Sequence, residues 1–157
     1  MIQQSADPFF IIMVDDDEED IYTMKRAFSS LNDNVRFQAV SSGEAFFQLL
    51  ETFGGATEGG PNLIILDLNI PTVSGFEILD RLRKGECDDT RNLVPVVIFS
   101  TSDADEDAAR CYLLGANAVF TKPTNFEATA RIAKSILNFW RTEGIRRIGR
   151  LPARIQR

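Results

Sequence analysis

The sequence has no histidine and only two cysteines among its 157 residues. Without histidine, the chain cannot carry a Ser-His-Asp triad, an imidazole-bound metal or a phosphohistidine. Cys87 and Cys111 are too few for a disulfide scaffold and form no C-x-x-C pair for zinc. We expect both to be reduced thiols without a catalytic role.

Long apolar runs are also missing. No stretch approaches the roughly 20 apolar residues that cross a bilayer, and no basic segment precedes the first apolar run, as a secretory signal would require. We therefore expect a cytoplasmic protein that does not enter the membrane. Hydrophobic residues still make up 44% of the chain, with 12 Phe, which is enough for the core of one domain.

Charge divides the chain unequally. Residues 141–157 hold six Arg against one Glu, a net +5, so the total of −6 leaves −11 for the rest. We expect one domain over residues 1–140 and a basic extension over 141–157, with no output domain. The extension either keeps the protein soluble or binds an acidic surface, and it is too short for an independent DNA-binding domain. Nucleic acid is therefore not an expected partner.

Short apolar runs alternate with longer amphipathic stretches, which is typical of a parallel sheet with helices on both faces. The five predicted strands, β1 to β5, cover residues 9–14, 35–40, 63–66, 96–99 and 118–121. Because β1, β3 and β4 are almost wholly apolar, we expect them to be central. Apolar residues at helical spacing predict five helices, α1 to α5, at about 21–31, 46–53, 75–82, 103–114 and 126–140.

Polar residues follow four of the predicted strands. They are Asp15 to Asp20 after β1, Asp67 after β3, Ser100-Thr101-Ser102 after β4 and Thr121-Lys122-Pro123 after β5. Active groups of an open parallel sheet collect at the carboxyl ends of its strands, so we expect these side chains in one crevice.

Clustered carboxylates repel one another unless a cation neutralises them. Oxygen ligands without His or Cys favour Mg²⁺ or Mn²⁺. A metal, a lysine and hydroxyl donors together suit phosphoryl transfer, and a carboxylate is a competent nucleophile toward phosphorus. The pattern therefore predicts an aspartyl phosphate.

Part of the acidic run also has a purely structural interpretation. Glu18, Glu19 and Asp20 would favour the positive end of the dipole of α1, and Asp17 is a candidate cap for that helix. Thr101 is either part of the site or an ordinary turn hydroxyl.

The sequence resembles the response regulator receiver family over roughly residues 8–140. The motifs are IIMVDDD, LIILDLNIPTVSGFEIL, VPVVIFSTSD and GANAVFTKP, in the family's order and at the family's strand ends. The resemblance implies a doubly wound, flavodoxin-like α/β fold with strand order 2-1-3-4-5. Ser100-Thr101-Ser102-Asp103, Thr121-Lys122-Pro123 and Phe139-Trp140 are most similar to stand-alone receivers that act beside phytochrome-type kinases.

The resemblance assigns a role to each matching residue. Asp67 matches the phosphoacceptor, and it acts with the switch hydroxyl Ser100 and with Lys122, which contacts the phosphoryl group. Asp15, Asp16 and Asp67 match the metal ligands, to which Asn69 adds a backbone carbonyl. The positions expected to modulate switching or hydrolysis are Asn69, Ser100, Thr101, Ser102, Val119 and Pro123. The family also implies a cis bond between Lys122 and Pro123.

Val119 departs from the family pattern. Receivers often have an aromatic residue there that is coupled to the switch hydroxyl. Phe120 is adjacent, but strand alternation directs it to the other face of the sheet. Aromatic gating is therefore not expected.

The resemblance further implies a signalling switch rather than a turnover enzyme. A sensor histidine kinase, of the phytochrome-like type, would phosphorylate Asp67 in the presence of Mg²⁺. The output would be protein binding, including a homodimer through the α4-β5-α5 face. The input signal, target, phosphoryl lifetime and oligomeric state are not encoded in any motif.

Two other functions share parts of this pattern. A haloacid-dehalogenase-like phosphohydrolase uses a D-x-D motif after its first strand, which Asp15-Asp16-Asp17 contains, but the length leaves little room for a cap domain. A flavin-binding module needs a phosphate loop after β1, where six acids would repel phosphate.

Overall fold

The computed structural model describes residues 7–31, 33–53, 60–86 and 93–141. Within these ranges, strands and helices alternate along the chain. The strands are β1 (Phe9–Val14), β2 (Val35–Val40), β3 (Leu63–Leu66), β4 (Val96–Ser100) and β5 (Ala118–Thr121). The helices are α1 (Glu18–Ser29), α2 (Gly43–Thr52), α3 (Gly75–Arg83), α4 (Asp105–Leu113) and α5 (Phe126–Trp140).

The strands form one parallel sheet in the order β2-β1-β3-β4-β5, as predicted. Val14 at the end of β1 is in register with Leu66 at the end of β3, and Leu66 is in register with Ile98. Ser100 at the end of β4 is level with Thr121 of β5. The residues that follow these strands therefore meet at one edge of the sheet.

Both faces of the sheet are covered, which confirms the doubly wound fold. Alternate residues of β1 enter different cores: Phe10, Ile12 and Val14 join one core, and Phe9, Ile11 and Met13 join the other. Helices α2, α3 and α4 supply the first core, whereas α1 and α5 supply the second. Burial of these apolar side chains is the main source of the fold's stability.

Several details at the start and end of α4 bear on the predictions. The helix begins two residues later than predicted, after Ala104, which provides no side-chain cap. It ends before Gly115, whose φ of 101° is the left-handed conformation that glycine adopts freely. Cys111 is a free, fully buried thiol of this helix, and burial raises its pKa.

The prediction of a cis bond before Pro123 is wrong, because the described residues contain no cis peptide. Trans is the intrinsically favoured isomer of X-Pro bonds. Val119 packs in the core of α2, α3 and α4, and Phe120 packs in the core of α1 and α5, so the predicted divergence of these neighbours is confirmed.

No described helix is long and apolar enough to cross a membrane. Two predictions concern residues outside the described ranges. They are the reduced thiol of Cys87 and the basic extension after Arg141.

Candidate functional site

Buried polar residues gather at the carboxyl edge of the sheet. Asp15 is 0% exposed, Asp67 is 6% exposed and Ser100 is 1% exposed, although each follows or ends a strand of apolar side chains. Burying a charged group is unfavourable unless an opposite charge or a hydrogen bond compensates for it. The contacts of each residue therefore define what the site can do.

Asp15 is held from two directions. Its Oδ1 accepts a hydrogen bond from the backbone N–H of Asp17 at 2.9 Å, and its Oδ2 accepts one from Lys122 Nζ at 2.8 Å. Burial raises the pKa of Asp15, and the bonds from Lys122 and Asp17 offset only part of that effect. The carboxylate would therefore gain from a further cation.

Lys122 lies at the centre of the acidic cluster. Its side chain is 7% exposed, and its ammonium contacts Asp20 at 2.7 Å, Asp15 at 2.8 Å and Asp67 at 3.3 Å. Burial by itself would lower the pKa of Lys122, but hydrogen bonds to Asp15 and Asp20 and the nearby charges raise it. The lysine is therefore held as a charged group beside Asp67.

Three carboxylates are arranged as a candidate metal site. Oxygen atoms of Asp15, Asp16 and Asp67 all lie within 4.8 Å of one another. Asp16 is exposed, so the site opens to solvent on its side. Carboxylate ligands with room for water match the preferences of Mg²⁺ and Mn²⁺, so the residues fit the predicted ion.

The loop after β3 packs closely against Asp67, the predicted phosphoacceptor. The N–H of Asn69 lies 3.5 Å from Asp67 Oδ1, and Asn69 itself is exposed. Gly75 donates its N–H to Leu68 O at 2.9 Å, and a Cβ at Gly75 would collide with the carbonyl of Asp67 and come within 2.7 Å of Leu68 Cα. The first residue of α3 must therefore be glycine for the loop to close over Asp67.

The hydroxyls after β4 do not all join the acidic cluster. Ser100 contacts it through its backbone carbonyl, which accepts from the N–H of Lys122 at 2.7 Å. Ser102 Oγ instead donates to Asp107 Oδ2 of α4 at 2.6 Å, and Thr101 is exposed. Pro123 lies beside Lys122 in a cleft next to α1.

Two contact residues were missed by the sequence interpretation. Asp20 was assigned to the dipole of α1, yet it makes the shortest contact of Lys122. A signal for this was present, because Asp17 caps α1 and Asp20 is then the third helical residue, whose side chain points back toward the N-terminus. Asp107, the partner of Ser102, had no comparable signal.

Comparisons with known proteins agree with this geometry. The family model described as the response regulator receiver domain matches residues 11–134. The probable methanogenesis regulatory protein FilR2 of Methanothrix harundinacea is 30% identical over 139 residues, which cover 88% of this chain and 88% of that protein.

Two solved structures are also similar. The phosphorylated cyanobacterial phytochrome response regulator RcpA has 30% identity and a TM-score of 0.74, covering 86% of this chain and 95% of that one. The Mn²⁺-bound form of response regulator Rcp1, a protein of Synechocystis, has 27% identity and a TM-score of 0.72, covering 93% and 100%.

Proposed function

Because the chain belongs to the response regulator receiver domain family, we propose that it accepts a phosphoryl group on Asp67 from a sensor histidine kinase. The observation that carries this proposal is the meeting of Asp67 with Lys122 at 3.3 Å inside a cluster that also holds Asp15 and Asp16. The three carboxylates and the ammonium supply a nucleophile, a cation site and a fixed positive charge in one place.

In the transfer step, a carboxylate oxygen of Asp67 attacks phosphorus and forms a new P–O bond. The bond from phosphorus to the imidazole nitrogen of the donor breaks, and its electron pair stays on that nitrogen. Lys122 balances charge on the phosphoryl oxygens, and the Ser100 hydroxyl is the further donor at the strand end. Mg²⁺ or Mn²⁺, held by Asp15, Asp16, Asp67 and the carbonyl of Asn69, would supply the remaining positive charge.

The phosphoryl group then leaves by hydrolysis, and the protein acts as a switch rather than as a turnover enzyme. The RcpA and Rcp1 similarities favour a phytochrome-type kinase as the donor. Binding of a partner, or of a second copy through α4, β5 and α5, is the proposed output. Tyr112, Leu113 and Phe139 are exposed large hydrophobic residues on α4 and α5 that suit such a contact.

The test uses acetyl phosphate and Mg²⁺ with the full chain. We expect the wild-type protein to form an acid-stable, hydroxylamine-sensitive phosphoprotein, detected by a phosphate-affinity gel. Asp67→Asn should form none, and EDTA should abolish the signal in the wild type. A phosphoprotein of the same lability in Asp67→Asn would overturn the assignment of Asp67.

A further inference from the structure

We propose that Asp20 is a positioning residue and the exchangeable partner of Lys122. It holds the ammonium while Asp67 is unphosphorylated and releases it to the phosphoryl group afterwards. This inference rests on the proposed function and adds to it a residue that competes with phosphorylation for the same lysine.

The Lys122 ammonium has no donor to spare for a phosphoryl group. An ammonium group has three N–H donors, and Lys122 contacts three carboxylates, on Asp15, Asp20 and Asp67. A phosphoryl group on Asp67 adds oxygen atoms that need the same donors. At least one of the existing contacts must then be weakened or exchanged.

The carboxylates that contact Lys122 differ in their exposure to solvent. The Asp20 side chain is 35% exposed, whereas that of Asp15 is 0% exposed. A carboxylate that loses its cation in the interior stays poorly solvated, but one at the surface is solvated by water instead. Release of Asp20 is therefore less costly than release of Asp15, although Asp20 makes the shorter contact.

Asp20 has open space beside it. A cleft of about 220 Å³ lies between the start of α1 and the segment after β5, and Asp20, Lys122 and Pro123 all line it. The cleft is open to solvent and is large enough for several water molecules. A released carboxylate can thus turn away from Lys122 without moving the backbone.

The consequence is that Asp20 opposes the activated state. The phosphoryl group gains less from Lys122 than it would if the ammonium carried no other surface partner. Removing Asp20 should therefore strengthen the binding of a phosphoryl analogue, even though the substitution also removes negative charge from a site that binds a cation.

The experiment measures binding of beryllofluoride by ¹⁹F NMR at saturating Mg²⁺, with Mg²⁺ affinity measured separately. The variants are Asp20→Asn and Asp20→Ala. The matched control is Glu19→Gln, which removes the same charge from the same helical turn and the same cleft, at a residue that is not a partner of Lys122. The thermal unfolding midpoint of each variant checks the fold.

We expect both Asp20 variants to bind beryllofluoride about twofold to fivefold more tightly than the wild type, the size of one partly exposed ion pair. Glu19→Gln should bind like the wild type. Equal or weaker binding by the Asp20 variants than by Glu19→Gln overturns the role of Asp20, while the proposed function stands. Failure of the wild type itself to bind beryllofluoride with Mg²⁺ overturns the proposed function.

Discussion

The two ends of the sheet each hold a partly buried cation, but they surround it differently. At the amino ends of the strands, Arg83 donates to the carbonyls of Val94 and Gly115 and to Asn117 Oδ1, at 2.8 to 3.0 Å. At the carboxyl ends, Lys122 has only carboxylates as its side-chain acceptors among the described residues. These three acceptors of Arg83 are neutral oxygen atoms, whereas the three acceptors of Lys122 are charged.

The contacts of Arg83 stabilise the fold, whereas those of Lys122 belong to the functional site. The acceptors of Arg83 cannot change charge, and two of the three are backbone carbonyls. Its contacts therefore join α3 to the starts of β4 and β5 as a fixed part of the fold. Asn117 Oδ1 also accepts from the N–H of Val96, which continues the same network. The interaction energy of a carboxylate changes when an ion or a phosphoryl group binds beside it. The contacts of Lys122 are therefore exchangeable.

The largest expected effect comes from Lys122→Met. Loss of the fixed ammonium should slow phosphorylation by acetyl phosphate about 10²-fold to 10³-fold, the usual effect of removing one transition-state donor. The rate is measured by quenched time courses at saturating Mg²⁺. Lys134→Met, at an exposed lysine of α5, is the matched control and should phosphorylate at the wild-type rate.

A slowed rate in Lys122→Met together with unchanged beryllofluoride affinity would contradict a role for this lysine in binding the phosphoryl oxygens. The charged cluster at the carboxyl end of the sheet would then not be the group that recognises phosphate.

The second effect tests the opposite end of the sheet. Arg83→Met should lower the free energy of unfolding by about 2 kcal/mol, because the half-buried carbonyls of Val94 and Gly115 and the exposed Asn117 Oδ1 lose their charged donor. Urea denaturation measures the change, and the phosphorylation rate in the absence of urea should stay at the wild-type value. Lys84→Met, at an exposed lysine paired with Asp80, is the control and should change stability little.

If Arg83→Met slowed phosphorylation without lowering stability, the amino end would be coupled to the site. The division between a structural end and a functional end would then be wrong.

The third effect uses the raised pKa of Asp15, which burial causes. An acid with a higher pKa in the folded state is destabilised by ionisation, so its cost is present at neutral pH and disappears below the unfolded pKa of about 3.9. In EDTA, Asp15→Asn should therefore raise the free energy of unfolding at neutral pH. It should also weaken Mg²⁺ binding, which isothermal titration calorimetry measures.

The wild-type and Asp15→Asn stabilities should converge as the pH falls toward 4, and urea titrations at several pH values follow this. Asp103→Asn, at an exposed aspartate without an ion pair among the described residues, controls for general loss of charge. A stability gain that persisted unchanged at low pH would show that ionisation of Asp15 is not its cause.

The sequence predicted the fold more fully than it predicted these contacts. Strand positions followed from apolar runs such as FFIIMV, and strand order followed from the family motifs, so the meeting of Asp15, Asp67 and Lys122 was foreseeable. The Arg83 network joins residues 11 to 34 positions apart through side chains and carbonyls, and no local pattern encodes it. The contact of Asp20 with Lys122 was not predicted, because the helix dipole already explains an acidic residue in the first turn of a helix.

The smallest expected effect comes from a hydroxyl at the carboxyl end of the sheet. It tests whether Ser102 belongs to the same site as Lys122 and the carboxylates. Ser102 Oγ donates to Asp107 at 2.6 Å and lies 3.4 Å from the N–H of Ala104, so it fastens the start of α4, which has no side-chain cap of its own. Ser102→Ala should therefore lower the free energy of unfolding by about 0.5 kcal/mol, as loss of a partly exposed cap does.

Mg²⁺ affinity should not change in Ser102→Ala, because the Ser102 side chain contacts Asp107 of α4 and not the three carboxylates of the candidate metal site. Thr101→Ala is the neighbouring control, at an exposed hydroxyl, and should leave both quantities unchanged. Urea denaturation and Mg²⁺ titration on the same samples decide the matter. A loss of Mg²⁺ affinity in Ser102→Ala would place this serine with the charged cluster, whereas a loss of stability alone would give it a structural role at the carboxyl end of the sheet, as Arg83 has at the amino end.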